Sequence, residues 1–413
     1  MSDLTECMQY RILCLIIPFL PFDKIHLLLR VSKYMKEIVI NAKMQITNVS
    51  IADKELKPER VKLLLHNISQ MPQLTTINLY NNRTGQCSDE LITALLHLPQ
   101  LTNLNLGLNY LKLSNKSVIN TIGTLTKLTS LNLGQNNFGS DSGILLYNML
   151  LSLTQLKSLD INDIYICEYN FTKIIPALNK LSKLESLNIS SNDINNTLID
   201  VLENLSQLTN LNIGYTYCNY YDVCLLAPIL GKMTKLKSFN FSGNSITSAG
   251  MLELAPALYN LTLMEELSLT HTDINIDGIT LLAPVLERMS NLTLLGLGIN
   301  NISSTGARVL APVLLQLTQL KSLDLKQNAL YTNGALSLAL PLSKMTQLTF
   351  LNLEGNQIFI DGMDAIISAV LNMKKLQTLK IGCNYTGNPD LARVKKISHH
   401  TILKTTLPTL KIT

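Results

Sequence analysis

The chain is short of charge. Asp, Glu, Lys and Arg make up only 15% of its 413 residues, against 46% apolar, and the net charge is +5. Without a concentrated basic patch, that balance gives no reason to expect a nucleic-acid partner. Long apolar runs are also missing. The nearest candidate, residues 12–20, is well below the ~20 residues that cross a bilayer, so no membrane span is expected. Asp3 and Glu6 stand where a secretory leader would place basic residues, which leads us to expect no such leader. The seven cysteines (Cys7, Cys14, Cys87, Cys167, Cys218, Cys224, Cys383) form an odd, scattered set with no Cys-x-x-Cys. They argue against a disulfide framework and fit reduced thiols in a cytoplasmic or nucleocytoplasmic protein.

Signs of catalysis are equally sparse. His26, His66, His97, His271, His399 and His400 show no metal-ligand spacing, and no Gly-rich phosphate loop or carboxylate pair stands out. His399-His400 falls in a basic tail with Arg393, Lys395 and Lys396, which reads as solvated. The expectation is a protein that is not an enzyme and takes neither cofactor nor metal.

What the chain does have is repetition. The phrase Leu-x-x-Leu-x-Leu opens at Leu74, Leu101, Leu128, Leu156, Leu184, Leu208, Leu236, Met264, Leu292, Leu320, Leu348 and Leu376. Its steps are 27, 27, 28, 28 and 24 residues, then 28 six times. A period held this long predicts a solenoid, in which each turn buries its apolar face only against its neighbours. In the turn at Leu292, Leu295 and Leu297 share one side at strand period, while Leu310, Leu314 and Leu317 recur at helix period. The spacing therefore predicts strand, turn and helix in each unit, with successive strands parallel.

An asparagine follows the last strand leucine by three residues, at Asn82, Asn109, Asn136, Asn192, Asn244, Asn300, Asn328, Asn356 and Asn384. An amide both donates and accepts, so this column is expected to satisfy backbone groups where the chain turns inward. Thr216 and Thr272 replace it with a hydroxyl, and Ile164 with neither. Gly250, Gly278, Gly306, Gly334 and Gly362 are expected to mark the turn into the helix. Pro176, Pro228, Pro256, Pro284 and Pro312 require either a short helix beginning near the proline or a bend there. Fainter turns at Ile46, Val49 and Ile51 and at Leu407, Leu410 and Ile412 are expected to cap the repeat, giving a solenoid over residues 44–413.

This 28-residue Leu-x-x-Leu-x-Leu-x-x-Asn unit resembles the leucine-rich repeat of the ribonuclease-inhibitor type over about residues 74–400. The resemblance implies an α/β horseshoe with parallel strands on the concave face and helices on the convex face. It also implies a protein partner held on the concave face.

Residues 1–43 do not repeat. Across residues 8–40, apolar stripes interrupted at Pro21 predict three short helices. The segment resembles an F-box in Ile12, Leu13, Ile16, Phe19, Leu20, Pro21 and Val31, with Ser32-Lys33 following. It departs from that pattern at Met8-Gln9, Arg11 and Met35. The resemblance implies docking on the adaptor subunit of a cullin–RING ubiquitin ligase, with the repeats capturing the substrate. Helices that only close the end of the solenoid are the plainer alternative, and would leave an interaction scaffold with no ubiquitin link. A third reading, a small-GTPase regulator, is disfavoured by the basic C-terminus, because similar repeat regulators carry an acidic tail.

Exposed strand positions carry one column of Asn78, Asn105, Asn132, Asp160, Asn188, Asn212 and Asn240, beside Ser130, Ser158, Ser186 and Ser238. They are expected to solvate the sheet face and hydrogen-bond one another. Towards the C-terminus the face diversifies to Glu266, His271, Lys326, Phe350, Glu354 and Lys380. Mixed charge with an aromatic makes these the candidate partner-binding residues. The loss of the amide at Ile164 and the short turn at Leu184 are expected to alter the curvature locally and divide the arc into two segments, with relaxed drift of the repeat as the alternative reading.

Overall fold

The repeated phrase folds as a strand of only three residues, buried at its centre and open at its flanks. The computed structural model describes residues 46–194, 198–384 and 389–413. The helices expected over residues 8–40, with the F-box-like Ile12, Leu13, Ile16, Phe19, Leu20, Pro21 and Val31, lie outside the described residues. The chain divides into two compact units, Met1–Asp193 and Ile194–Thr413. The boundary falls within the turn that is four residues short.

In the first unit, strands β1 (Asn48–Ser50), β2 (Thr76–Asn78), β3 (Asn103–Asn105), β4 (Ser130–Asn132), β5 (Ser158–Asp160) and β6 (Ser186–Asn188) pair in parallel, in chain order. Helices α1 (Pro58–Ile68), α2 (Ser88–Leu96), α3 (Lys116–Gly123), α4 (Gly143–Ser152) and α5 (Glu168–Leu178) alternate with them. The second unit opens with α6 (Leu198–Leu202). It then continues with β7 (Asn210–Asn212), α7 (Tyr220–Leu230), β8 (Ser238–Asn240), α8 (Thr247–Leu258), β9 (Glu266–Ser268), α9 (Ile276–Leu286) and β10 (Leu294–Gly296). It closes with α10 (Ser303–Gln316), β11 (Ser322–Asp324), α11 (Tyr331–Lys344), β12 (Phe350–Asn352), α12 (Ile360–Val370), β13 (Thr378–Lys380), α13 (Pro389–Thr406) and β14 (Lys411–Ile412). Its strands too are parallel and sequential.

Register explains the period. Leu267, Leu295, Leu323, Leu351 and Leu379 stand directly opposite one another, and all are fully buried. A 28-residue step thus returns each leucine to the same place in the core. The faint outer turns follow the same rule: Ile46, Val49, Leu407 and Leu410 are buried, and β1 and β14 pair with their neighbours.

The prolines stand near the ends of their helices. Pro176, Pro228, Pro256 and Pro284 each stand two residues from the last helical position, so the helices begin well before them. The glycines differ from expectation as well. Gly250, Gly278, Gly306, Gly334 and Gly362 lie inside helices and are buried. A Cβ on Gly362 would stand 3.1 Å from Ala335 Cβ and 3.1 Å from Thr332 Cα on α11. Glycine here lets one helix approach the next, rather than turning the chain.

Candidate functional site

The candidate face is the open side of the strands, and the asparagine column fixes it from beneath. Asn300 shows the pattern. Its Oδ1 accepts the Thr272 N–H at 3.0 Å, and its Nδ2 donates to the carbonyls of Leu269 in the preceding turn and Leu297 in its own, at 2.6 and 3.1 Å. Asn109, Asn136, Asn192, Asn244, Asn328, Asn356 and Asn384 likewise donate to carbonyls of the preceding turn. Asn82 Nδ2 donates to the Ile51 carbonyl. Its Oδ1 is buried without a hydrogen-bond partner.

Replacements do part of this work. The Thr216 and Thr272 hydroxyls lie 2.8 and 2.7 Å from the carbonyls of Ile213 and Leu269 in their own turns and 3.3 and 3.1 Å from Oδ1 of Asn244 and Asn300 in the turns that follow. A hydroxyl is too short to reach the previous turn. At Ile164 the side chain is wholly buried and offers no polar group, although its backbone N–H still donates to Asn192 Oδ1 at 3.1 Å.

Above this ladder, the open column of small polar residues bonds its own backbone. Asn105, Asn132, Asp160, Asn188, Asn212 and Asn240 each accept, through Oδ1, the N–H two residues on, at 2.9–3.2 Å. These short side chains therefore pin the strand exit, which is how the local geometry of an Asx turn works, and the Asn188 amide also bonds Asp160 across the strands. Asp160 is the one acid among them. Burial pushes its carboxyl above the ordinary range, against the opposing pull of the Asn162 N–H and the Asn188 amide.

Of the six candidate binding residues, four stand on three adjacent turns and two stand apart. Phe350 on β12 and Lys380 on β13 are diagonal neighbours, with the ammonium 5.8 Å from the ring centroid. Lys326 and Glu354 follow β11 and β12, and their N–H groups are held by Asp324 and Asn352 at 2.9 and 3.1 Å. All four are half-buried. Glu266 and His271 belong to the β9 turn and are exposed. Glu266 accepts the Ser238 hydroxyl at 2.9 Å. Between the two groups, β10 presents only Leu294 and Gly296.

Chemistry of other kinds finds little support. Among the described residues, no group of His, Cys, Asp and Glu is arranged to hold a metal ion, and no helix is long and apolar enough to cross a membrane. Burial pushes the Cys218 thiol up to about 12, which suppresses the thiolate that a nucleophile requires. His399 departs from the solvated tail expected of it. It is 4% exposed and shares a 2.6 Å hydrogen bond with Asp364 of α12, whereas His400 is exposed.

One surface escaped the sequence reading. Tyr215, Tyr217, Tyr220 and Tyr221 are all exposed. Four tyrosines within seven residues was the available signal, and it was hidden among positions that vary freely between turns.

The family model for a leucine-rich repeat matches residues 124–146, 180–197 and 232–255. No curated protein sequence matches the chain. Among solved structures, it is similar to an internalin from Listeria monocytogenes, at 20% identity, with 94% of this chain and 92% of that one covered and a TM-score of 0.50. A leucine-rich repeat protein from Leptospira interrogans aligns at 18% identity over 93% and 86% of the two chains, with a TM-score of 0.47. At 20% identity the internalin bears on the fold alone. With parallel strands alternating with helices turn after turn, the fold is that of a leucine-rich repeat solenoid.

Proposed function

We propose that the protein is a binding scaffold, not an enzyme, and that its second unit holds a protein partner on the open strand face. The observation that carries this reading is the placement of Phe350, Lys380, Lys326 and Glu354 on three adjacent turns. An aromatic anchor beside one cation, with both signs of charge further along the same strands, concentrates binding energy and selects among partners. Glu266 and His271 extend the same face towards β9. Repeats of the ribonuclease-inhibitor type, as the sequence suggests, would present these side chains on rigid strands at little entropic cost.

A finer reading assigns residues 1–43 as an F-box-like docking domain. Ile12, Leu13, Ile16, Phe19, Leu20, Pro21 and Val31 would contact the adaptor of a cullin–RING ubiquitin ligase, and the solenoid of residues 44–413 would present the substrate. The support for this is the sequence resemblance across those residues.

Two measurements test the two levels separately. Chemical cross-linking followed by quantitative mass spectrometry, comparing the full chain with a Phe350→Ala/Glu354→Ala variant, should show a specific partner depleted roughly tenfold or more, the loss of one or two interface anchors. An unchanged set of partners would remove the strand-face reading. Mixing the purified adaptor with the full chain and with an Ile16→Asp/Leu20→Asp variant tests the finer reading. Co-elution is expected only with the unaltered chain, and no co-elution with either would leave a scaffold without a ubiquitin link.

A further inference from the structure

Tyr217 and Tyr221 are 70% and 75% exposed, and Tyr215 is 50% exposed. Tyrosine is a stiff side chain that loses little rotamer freedom on binding and offers both a ring face and a hydroxyl. Here the rings are also held in place. Tyr215 and Tyr217 have left-handed backbones, with φ of 54° and 63°, and the Tyr215 N–H donates to Ser242 O at 2.7 Å. The Tyr215 ring lies against Gly243, where a Cβ would come within 2.2 Å of ring Cδ1. One ring face thus rests on backbone while the ring's other surface meets solvent. At the start of α7, Asn219 Oδ1 accepts the Tyr221 N–H and Asp222 Oδ2 accepts the Asn219 N–H, both at 2.8 Å. This capping box sets Tyr220 and Tyr221 edge to face, with centroids 5.5 Å apart.

Acidic side chains accompany the rings. Asp222 is 2% exposed, and its Oδ1 is buried without a hydrogen-bond partner. Asp273 accepts the Ser245 hydroxyl at 3.3 Å, and the Ser245 N–H in turn donates to Cys218 O, next to Tyr217. Glu253 is exposed on α8, one turn beyond Gly250, where a Cβ would stand 3.5 Å from Val223 Cγ1 of α7; the Cys224 thiol, through its hydrogen bond, and to a lesser degree this carboxylate push the Tyr220 phenol upward. Two other exposed rings carry a cation from the same chain. Lys173 stands 4.1 Å from the Tyr169 centroid, and Arg288 stands 4.2 Å from that of Tyr259. Among the described residues, no Lys or Arg covers Tyr215, Tyr217, Tyr220 or Tyr221.

We propose that Tyr215, Tyr217, Tyr220 and Tyr221, with Glu253, Asp273 and the buried Asp222, form a docking surface for a cationic segment of another protein. Arginine or lysine side chains of that segment lie over the rings, the place that Lys173 and Arg288 fill on other tyrosines of the same chain. Guanidinium groups suit it best, because they stack on a ring face while reaching a carboxylate with their edge. The surface does not depend on the Phe350 group, which lies on later strands of the same unit.

The test uses the full chain and a fluorescently labelled Gly/Ser peptide bearing spaced arginines, followed by fluorescence polarisation. Citrulline and glutamate versions of the peptide serve as controls. The arginine peptide should bind and both controls should not. Tyr217→Ala/Tyr221→Ala should weaken binding roughly five- to thirtyfold, the loss of two exposed cation–π contacts. Tyr217→Phe/Tyr221→Phe, which keeps both rings, should bind like the unaltered chain, and so should Phe350→Ala/Glu354→Ala. Asp273→Asn/Glu253→Gln should weaken binding severalfold and reduce its salt dependence. Equal binding of the citrulline peptide would overturn the proposal, as would undiminished binding by the alanine variant with unchanged far-ultraviolet circular dichroism. Self-association of the full chain that the alanine variant abolishes would point to a second copy instead. Tyrosine-dependent binding to phosphatidylcholine vesicles, without arginine-peptide binding, would point to a membrane.

Discussion

Asp160 shows how one atom distinguishes otherwise equivalent positions. Its register partners Asn132 and Asn188 make the same bond to the backbone two residues on, but theirs are neutral amides. Burial raises the Asp160 carboxyl in the folded chain, so its contribution to stability is greatest where the group is protonated. That contribution is lost as pH rises through the raised value, because the folded state then holds a poorly solvated charge. Asp160→Asn keeps the acceptor oxygen and removes the charge. It should therefore stabilise the protein at pH 7, and the gain should vanish near pH ~3, below the ordinary carboxylate range. Urea unfolding at both pH values measures this. A gain of the same size at both would show that the carboxylate's ionisation is not responsible.

At the scale of the repeat element, the asparagine ladder distinguishes a contact within one turn from a contact between turns. Asn328 accepts the Asn300 and Ile302 N–H groups at 2.9 and 3.4 Å and donates to Leu297 O and Lys326 O at 2.9 and 3.2 Å. Asn328→Thr should behave like Thr272, holding its own turn but failing to reach the turn before it. With about 1–3 kcal/mol for each buried group left unpaired, Asn328→Ala should cost about 3 kcal/mol or more, and Asn328→Thr roughly half of that. Denaturation midpoints of the two variants decide the matter; equal losses would mean that the hydroxyl recovers nothing. The positions of this ladder are legible in the sequence because each turn must satisfy the same backbone groups at the same place. The helix limits are less so. Pro228 and Pro256 sit in the last turns of α7 and α8, where packing on neighbouring helices holds a short helix whatever its own propensity. Gly362 reads as a turn residue until Ala335 and Thr332 are seen beside it. The buried His399 shows the same limit, since its partner Asp364 lies 35 residues away. Within the candidate site, the aromatic and charged strand positions are legible because strand alternation exposes them. The tyrosines after β7 are less legible, because the left-handed backbone that presents two of them has no fixed residue signature: the same conformation is taken by His271, Ile299 and Gln327.

Across the whole molecule, the turns are close to equivalent. If each turn interacts only with its neighbours, stability is a sum of turns and of the interfaces between them. Removing residues 292–319, one 28-residue step, joins Asn291 to Leu320 and leaves Glu266 of β9 opposite Ser322 of β11. The Thr272 N–H then meets Asn328 Oδ1 in place of Asn300 Oδ1, and Leu267 stacks on Leu323. The shortened protein should fold, keep its circular dichroism per residue, and unfold cooperatively at a modestly lower midpoint. Removing half a step, residues 292–305, sets part of a helix where a strand belongs and should give an unfolded or aggregated product. The same pair of deletions also bears on the binding face. Phe350, Glu354 and Lys380 keep their mutual register in the one-step deletion, so a partner held by these alone should still bind. A partner that also needs Glu266 and His271 would find them one strand nearer, about 4.8 Å, and its affinity should change. If both deletions fold equally well, strand register does not govern the solenoid. If neither folds, the turns are not interchangeable, and the 28-residue period describes the sequence without describing the energetics.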